Sequence, residues 1–371
     1  MSFTALGSQL PEQQLAWVAK SKKTFRENFF FEKFTGTSDN SIVQTVTELK
    51  RTANGDRAMI GLVQDIAGSG IVGDNDIDGR RAALESSWVE IHCDQLRQGV
   101  SSKGRVDDQR SVYNFREEAK DKLSYWRART LEEFIILAAS GISFAYNTDG
   151  STRTIGAQDD PTSLAYAADV TAPSTNRHFS FNGTNLVAGD TTTVTTSYVP
   201  KYGMIVDAMA EAKTRGVKPL IIGGKEHMVY LCHPKTFARL KKDSDFRDAL
   251  QLAGARGDTN PIFTGASVTV DGLIIHPNTR VYTTLGKTSS VDKWGSGNLV
   301  EGTRSLLLGC QAIAYADIWG AAKWFEGKED DDAKNIISIA AYCGILKPKF
   351  VSRFDADAVE DFGVIALDLT L

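Results

Sequence analysis

One run of residues constrains this chain more than any other. Between 107 and 139, Val112, Phe115, Ala119, Leu123, Trp126, Thr130, Phe134 and Leu137 step by three or four, so on an α-helix they share one face. Asp107 or Asp108 is placed to cap the start, and Ala138, Ala139 and Gly141 give a small-residue exit. At ~1.5 Å of rise per residue the predicted helix is roughly 50 Å long. A helix of that length spans a domain and can serve as its spine.

What precedes the helix needs neighbours. Leu15, Trp17, Val18, Phe25, Phe29, Phe30, Phe31 and Phe34 crowd the first segment, with Lys20, Lys22, Lys23 and Arg26 among them. Disordered tails are poor in aromatics, so this arm is expected to dock, either on its own core or on an adjacent subunit. Residues 42–51 are rich in β-branched side chains and read as a strand, with a turn at Asn54-Gly55. Residues 86–98 read as a second strand, because Val89, Ile91 and Cys93 alternate with Glu90, His92 and Asp94. Gly61, Gly68, Gly70, Gly73 and Gly79 punctuate the stretch between them and lower the cost of bending. The prediction is one long hairpin over 42–99 with a mobile, partly apolar tip that includes Ile66 and Ile71.

After the helix the character changes. Thr, Ser, Gly, Asn and Asp dominate 143–200, and TTTVTTSYV reads as a surface strand. The segment is too long for an ordinary connection, so an inserted, β-rich or irregular region with a surface role is expected. Residues 201–215 predict an amphipathic helix with Met204, Ile205, Ala208, Met209 and Ala212 inward, stopped by Gly216. A buried strand over 227–234, helices near 235–241 and 244–254, and a β-rich remainder (VTVDGLIIH, TRVYTT) follow. In the last ten residues Ile365, Leu367, Leu369 and Leu371 alternate with Val364, Ala366, Asp368 and Thr370, which predicts a closing strand with one apolar face.

Charge and chemistry exclude several functions. Lys plus Arg number 42 and Asp plus Glu 46, a net charge of −4, which argues against a dedicated nucleic-acid binder. The N-terminus lacks a basic start followed by an apolar run, so no secretory leader is expected. The four cysteines form no CxxC and read as small buried hydrophobes. Asp74-x-Asp76-x-Asp78-Gly79, with Glu85, fits a calcium-loop spacing. Against it stand Arg81 at an apolar position, a glycine-rich flank in place of a helix, and no second loop; the competing reading is a solvated acidic hairpin tip. Gly223-Gly224-Lys225 lacks the earlier glycine of a phosphate loop, since Pro219 occupies that place. A hydrolase built on Cys232, His233 or His227 is a rival without a placed catalytic set. No cofactor and no catalytic residue is predicted.

The runs GDNDIDG, IHCDQLRQGV, DDQRSVYNFREEAKDKLSYWRARTLEEFIILAASG and HPKTFARLKKDSDFRDALQLAGARGDTNPIFTGA, with the ending FGVIALDLTL, resemble the major capsid proteins of tailed bacteriophages. The resemblance covers nearly the whole chain, with 143–200 the least comparable part. It implies an α+β fold, shared with encapsulins, in which an N-terminal arm (1–41) leads to an extended hairpin loop (42–100). A peripheral domain takes the spine region 101–142 and strands in 320–352; an axial domain takes 201–319 and the last strand within 353–371. Residues 143–200 are then a surface insertion. The implied function is a coat subunit that assembles as pentamers and hexamers into an icosahedral head around DNA, without sequence-specific binding. Scaffold, portal and cementing proteins are the implied partners, and the implied location is the virion, after assembly in the host cytoplasm. Phe29, Phe30, Ile66, Gly68, Gly70, Ile71, Gly73 and Gly79 are the expected assembly contacts. The alternatives are an encapsulin-like compartment and a calcium-dependent module at 74–85.

Overall fold

The computed structural model describes residues 23–26, 28–46, 57–63, 71–78, 86–104, 109–110, 114–156, 158–253, 268–270, 272–319, 322–331, 333–352 and 358–371. In it the spine helix is Phe115–Ser140, which starts later than the apolar spacing predicts. Asn114 is its N-cap, and the Asn114 side chain accepts from the Arg116 N–H at 3.2 Å; Asp107, Asp108 and Val112 lie outside the described residues. The helix ends at Gly141, whose φ of 68° is left-handed. The Ile142 N–H closes back on the Leu137 carbonyl at 3.0 Å. A Cβ at position 141 would also lie 2.5 Å from the Thr171 carbonyl oxygen, so both the turn and the packing demand glycine.

The two halves of this helix face different surroundings. In the first half Ala119 and Leu123 are buried while Glu117, Glu118, Asp121 and Lys122 are exposed. From Phe134 to Ser140 every residue is buried, including Ile135 and Ile136, which lie off the predicted stripe. The first half lies on one sheet and the second half reaches another.

The sheet under the first half has six strands. In order they are Thr35–Gly36, Val43–Val46, Ile313–Asp317, Lys334–Leu346 and Lys323–Glu329, with Asp94–Ser101 also paired to Lys334–Leu346. Ile337 and Ile339 of its longest strand pack on Ala119 and Leu123. The other sheet has eight strands: Val268–Val270, Leu273–Pro277, Lys225–Cys232, Gly302–Leu308, Val364–Thr370, His178–Phe181 and Leu186–Ala188, with Leu220–Ile222 added to Lys225–Cys232. One face carries Ile365, Leu367 and Leu369 against Met204, Ile205, Ala208, Met209 and Ala212 of helix Tyr202–Thr214. The opposite face carries Leu306, Leu308, Val364 and Ala366 into the core around the second half of the spine. Helices Pro234–Lys242 and Ser244–Ala253 follow the strand Lys225–Cys232, close to their predicted places.

Several sequence expectations are corrected. The strand expected over 42–51 is Val43–Val46, and it pairs in parallel with Ile313–Asp317, not with the strand at 86–98. Residues 47–51 and the turn at Asn54-Gly55 lie outside the described residues. The strand expected over 86–98 is two strands broken at Cys93: Ser86–His92 pairs with Arg57–Val63, and Asp94–Ser101 pairs with Lys334–Leu346. The periodicity is continuous through the break, which is why the sequence does not reveal it. TTTVTTSYV is no strand; it is turns around Asp190 and a buried Val194. Residues 143–200 are not confined to the surface either. Phe144 and Tyr166 sit in the main core, and His178–Phe181 pairs in parallel with the terminal strand. TRVYTT forms only an isolated bridge, Thr283 to Thr303. Ile313–Asp317 joins the six-stranded sheet, so 201–319 is not one structural unit. Finally, the terminal strand is buried on both faces, because sheet and helices cover it from either side.

Candidate assembly surface

The hairpin is Arg57–Val63 with Ser86–His92, a two-stranded sheet of its own. Strict alternation gives it two unlike faces. The inner face pairs Ala58 with Ile91 and Ile60 with Val89, and packs on Ala314, Ala316 and Leu346 of the body. The outer face pairs Arg57 with His92, Met59 with Glu90 and Gly61 with Trp88. Met59 is 51% exposed and Trp88 is 65% exposed. The Trp88 indole lies down across Gly61, where an added Cβ would sit 3.0 Å from the ring. A shallow hollow of about 170 Å³ opens beside them, lined by Gln44, Val46, Met59, Ile60, Gly61 and Trp88 among others. The Arg57–Glu90 ion pair at 2.8 Å flanks this face. Both partners are half exposed, so the pair contributes only about 0–1 kcal/mol.

A second exposed apolar pair lies on another small hairpin. Strands Lys349–Ser352 and Ala358–Asp361 place Val351 directly opposite Val359, and both are exposed. Neither this pair nor Met59 and Trp88 stands out in the sequence. Their only signal is an apolar residue on the polar phase of an alternating strand.

The predicted contacts are distributed differently. Phe29 is buried in the chain's own core, stacked on Phe25 at 5.1 Å between centroids. Phe30 and Phe34 both meet the His276 ring edge-on at 5.5 Å, and the Arg127 guanidinium covers Phe25. The aromatic arm thus docks on its own body over these residues. Ile71 is half-buried, and Gly73 is exposed with a left-handed φ of 67°. Ile66, Gly68, Gly70 and Gly79 lie outside the described residues.

The calcium-spaced residues Asp74, Asp76 and Asp78 are exposed, and Asp76 accepts from the Asp78 N–H at 3.0 Å. Glu85 lies outside the described residues. Among the described residues no three His, Cys, Asp or Glu side chains are grouped to hold a metal ion. The hydrolase rival loses its nucleophile: Cys232 is fully buried, and that burial pushes its thiol up to about 12. His233 caps helix Pro234–Lys242 through Nδ1, which accepts from the Lys235 N–H.

Away from the hairpin, a buried ionic knot lies where the eight-stranded sheet meets the spine helix. Arg304 donates to both Asp368 oxygens, at 2.7 and 2.9 Å, and to the Ser140 carbonyl at 3.0 Å. His178 Nε2 completes the set, 2.6 Å from Asp368. Three strands of the eight-stranded sheet are thereby tied to the last turn of the spine helix. Burial alone would raise the Asp368 carboxyl, but Arg304 and His178 outweigh it and hold the group below its ordinary value. The sign follows. Asp368 contributes its stability fully above the unfolded carboxyl value near ~4, and loses it as pH falls below that through the folded value. In urea titrations of wild type and Asp368→Asn, the stability gap should be widest at neutral pH and shrink below about pH 4. A gap that is constant with pH would contradict this.

Comparison with known proteins agrees with the geometry. Over its whole length the chain superimposes on the capsid of Ralstonia phage GP4 with a TM-score of 0.75, at 23% identity, covering 98% of that chain. It matches the Cyanophage Pam1 capsid asymmetric unit with a TM-score of 0.70, at 17% identity, covering all of this chain and 96% of that one. This is the tailed-phage capsid fold. A family model described as phage capsid protein matches residues 6–370. The major capsid protein of Pseudomonas phage KPP25 is 39% identical over 368 residues, 98% of this chain and 96% of its own. The chain belongs to the phage capsid protein family and is a coat protein of a phage head.

Proposed function

We propose that this chain is the major coat subunit of a tailed phage, packing as pentamers and hexamers into a closed icosahedral shell. The observation that carries this is the outer face of the hairpin, where Met59 and Trp88 are exposed on strands whose other face is already used. A large exposed Trp beside a hollow is the kind of anchor that protein interfaces bury. The hairpin of one copy is laid across the next, and Val351 with Val359 gives a second contact between copies. The spine helix and six-stranded sheet form the peripheral part, and the eight-stranded sheet the axial part. The role is structural, without catalysis.

The net charge of −4 suits a wall that confines DNA, since strong phosphate affinity would hinder packing and ejection. Portal, scaffold and cementing proteins are the expected partners, with assembly in the host cytoplasm and residence in the virion. Purified full-length chain, followed by size exclusion with light scattering, should form closed particles in the megadalton range. A stable monomer or dimer at high concentration would contradict the reading.

A further inference from the structure

The hairpin meets the body at a one-residue joint. Its second strand ends at His92, and the next strand begins at Asp94 in a different sheet, so Cys93 alone connects them. Beneath this joint runs Gly344 of the six-stranded sheet. A Cβ there would lie 2.3 Å from the His92 carbonyl oxygen and 3.0 Å from Cys93 Sγ. The joint therefore rests directly on the Gly344 backbone, with the buried Ile91 and Cys93 side chains against the same glycine. The hairpin's inner face meets the body in one apolar cluster, Ala58, Ile60 and Ile91 with Ala314, Ala316 and Leu346, a contact without hydrogen-bond direction.

What braces the joint is the 3-10 turn Ala165–Asp169. At one end the Asp169 carboxylate accepts from the His92 N–H at 3.0 Å and from Nδ1 of the same residue at 2.7 Å. At the other end the Ala165 N–H donates to the Asp94 carboxylate at 2.9 Å. One carboxylate thus stands on each side of Cys93. The turn is rooted in the main core by Tyr166, which is fully buried and meets the Phe134 and Phe144 rings edge-on, at 6.4 and 5.9 Å between centroids.

We propose that the turn Ala165–Asp169 is a latch that sets the tilt of the hairpin about Cys93. Its release lets the hairpin swing as a unit, with both sheets intact. This rests on the reading of the hairpin as the contact between copies, and it names the element that regulates that contact. Among the described residues every ladder bond of the hairpin lies within its own two strands, so breaking the two carboxylate contacts removes the polar bracing of the joint without unpairing either strand and leaves the apolar contact of the inner face to yield.

The test uses spin labels at Met59→Cys on the hairpin and Gln98→Cys on the body, in the unassembled full-length chain. Pulsed electron-resonance distances are compared with and without Asp94→Ala and Asp169→Ala together. The latch predicts a distance distribution at least about twice as wide in the doubly substituted chain, with hydrogen-exchange protection of 57–63, 302–308 and 364–370 unchanged. An unchanged width overturns it, and so does widening accompanied by lost protection in those strands, which would mean general loosening. Particle formation by the wild-type chain is scored separately, so failure of the latch and failure of the assembly reading remain distinct.

Discussion

Arg304→Met should lose about 3–5 kcal/mol of folding stability. Methionine refills most of the volume of the arginine stem, so the loss is not chiefly a cavity. It comes from stranding Asp368, a carboxylate with no solvent exposure, beside a single remaining partner in His178. It also unties the Ser140 carbonyl at the end of the spine helix, where the backbone has few other donors. Urea denaturation of the unassembled chain at neutral pH would show a lower midpoint at unchanged slope. Replacing Arg304 and Asp368 together by apolar residues should recover much of the loss, because paired removal leaves no buried charge alone. A single variant within about 1 kcal/mol of wild type would mean that the knot is incidental to the fold.

Met59→Ser with Trp88→Ser should abolish particles while leaving the subunit folded. Both side chains are exposed in the single chain, so their removal costs the isolated fold little. In a shell each would bury apolar area worth about 1.5–3 kcal/mol per copy. A combined loss of about 3–6 kcal/mol per contact raises the critical concentration for assembly by roughly two to four orders of magnitude. Light scattering across a concentration series reads this directly, with circular dichroism reporting the fold. Particles at the wild-type threshold would show that this face is not an interface.

Much of the fold was legible because its strongest signals are periodic. The helix Tyr202–Thr214 buries the five residues its spacing names, and its neighbours at Pro234–Lys242 and Ser244–Ala253 start and stop near their punctuation. The spine helix was visible for the same reason, yet its first turn was misplaced. Asparagine and aspartate are equally good caps in isolation, so residue type alone does not mark Asn114 as the start of Phe115–Ser140. Pairing partners were less legible, because hydrophobic alternation says that a strand has two faces and not which strand lies beside it. Alternation therefore leaves the neighbour of Val43–Val46 open, and it runs through Cys93 without marking the single-residue joint there. The irregular segment 143–200 was opaque for a related reason. Its buried residues, Phe144, Tyr166 and Val194, are scattered among polar ones and follow no period. The candidate surface was half visible. The hairpin as an extension could be expected from glycine and alternation, but the outward Met59 and Trp88 required knowing which face the body already covers.

The most direct test of this account is an electron-cryomicroscopy reconstruction of the particle formed by the full-length chain, read at Trp88. The account predicts a closed shell in which the Trp88 indole is covered by a neighbouring copy. An open or irregular aggregate, or a closed shell with that ring still facing solvent, would contradict it.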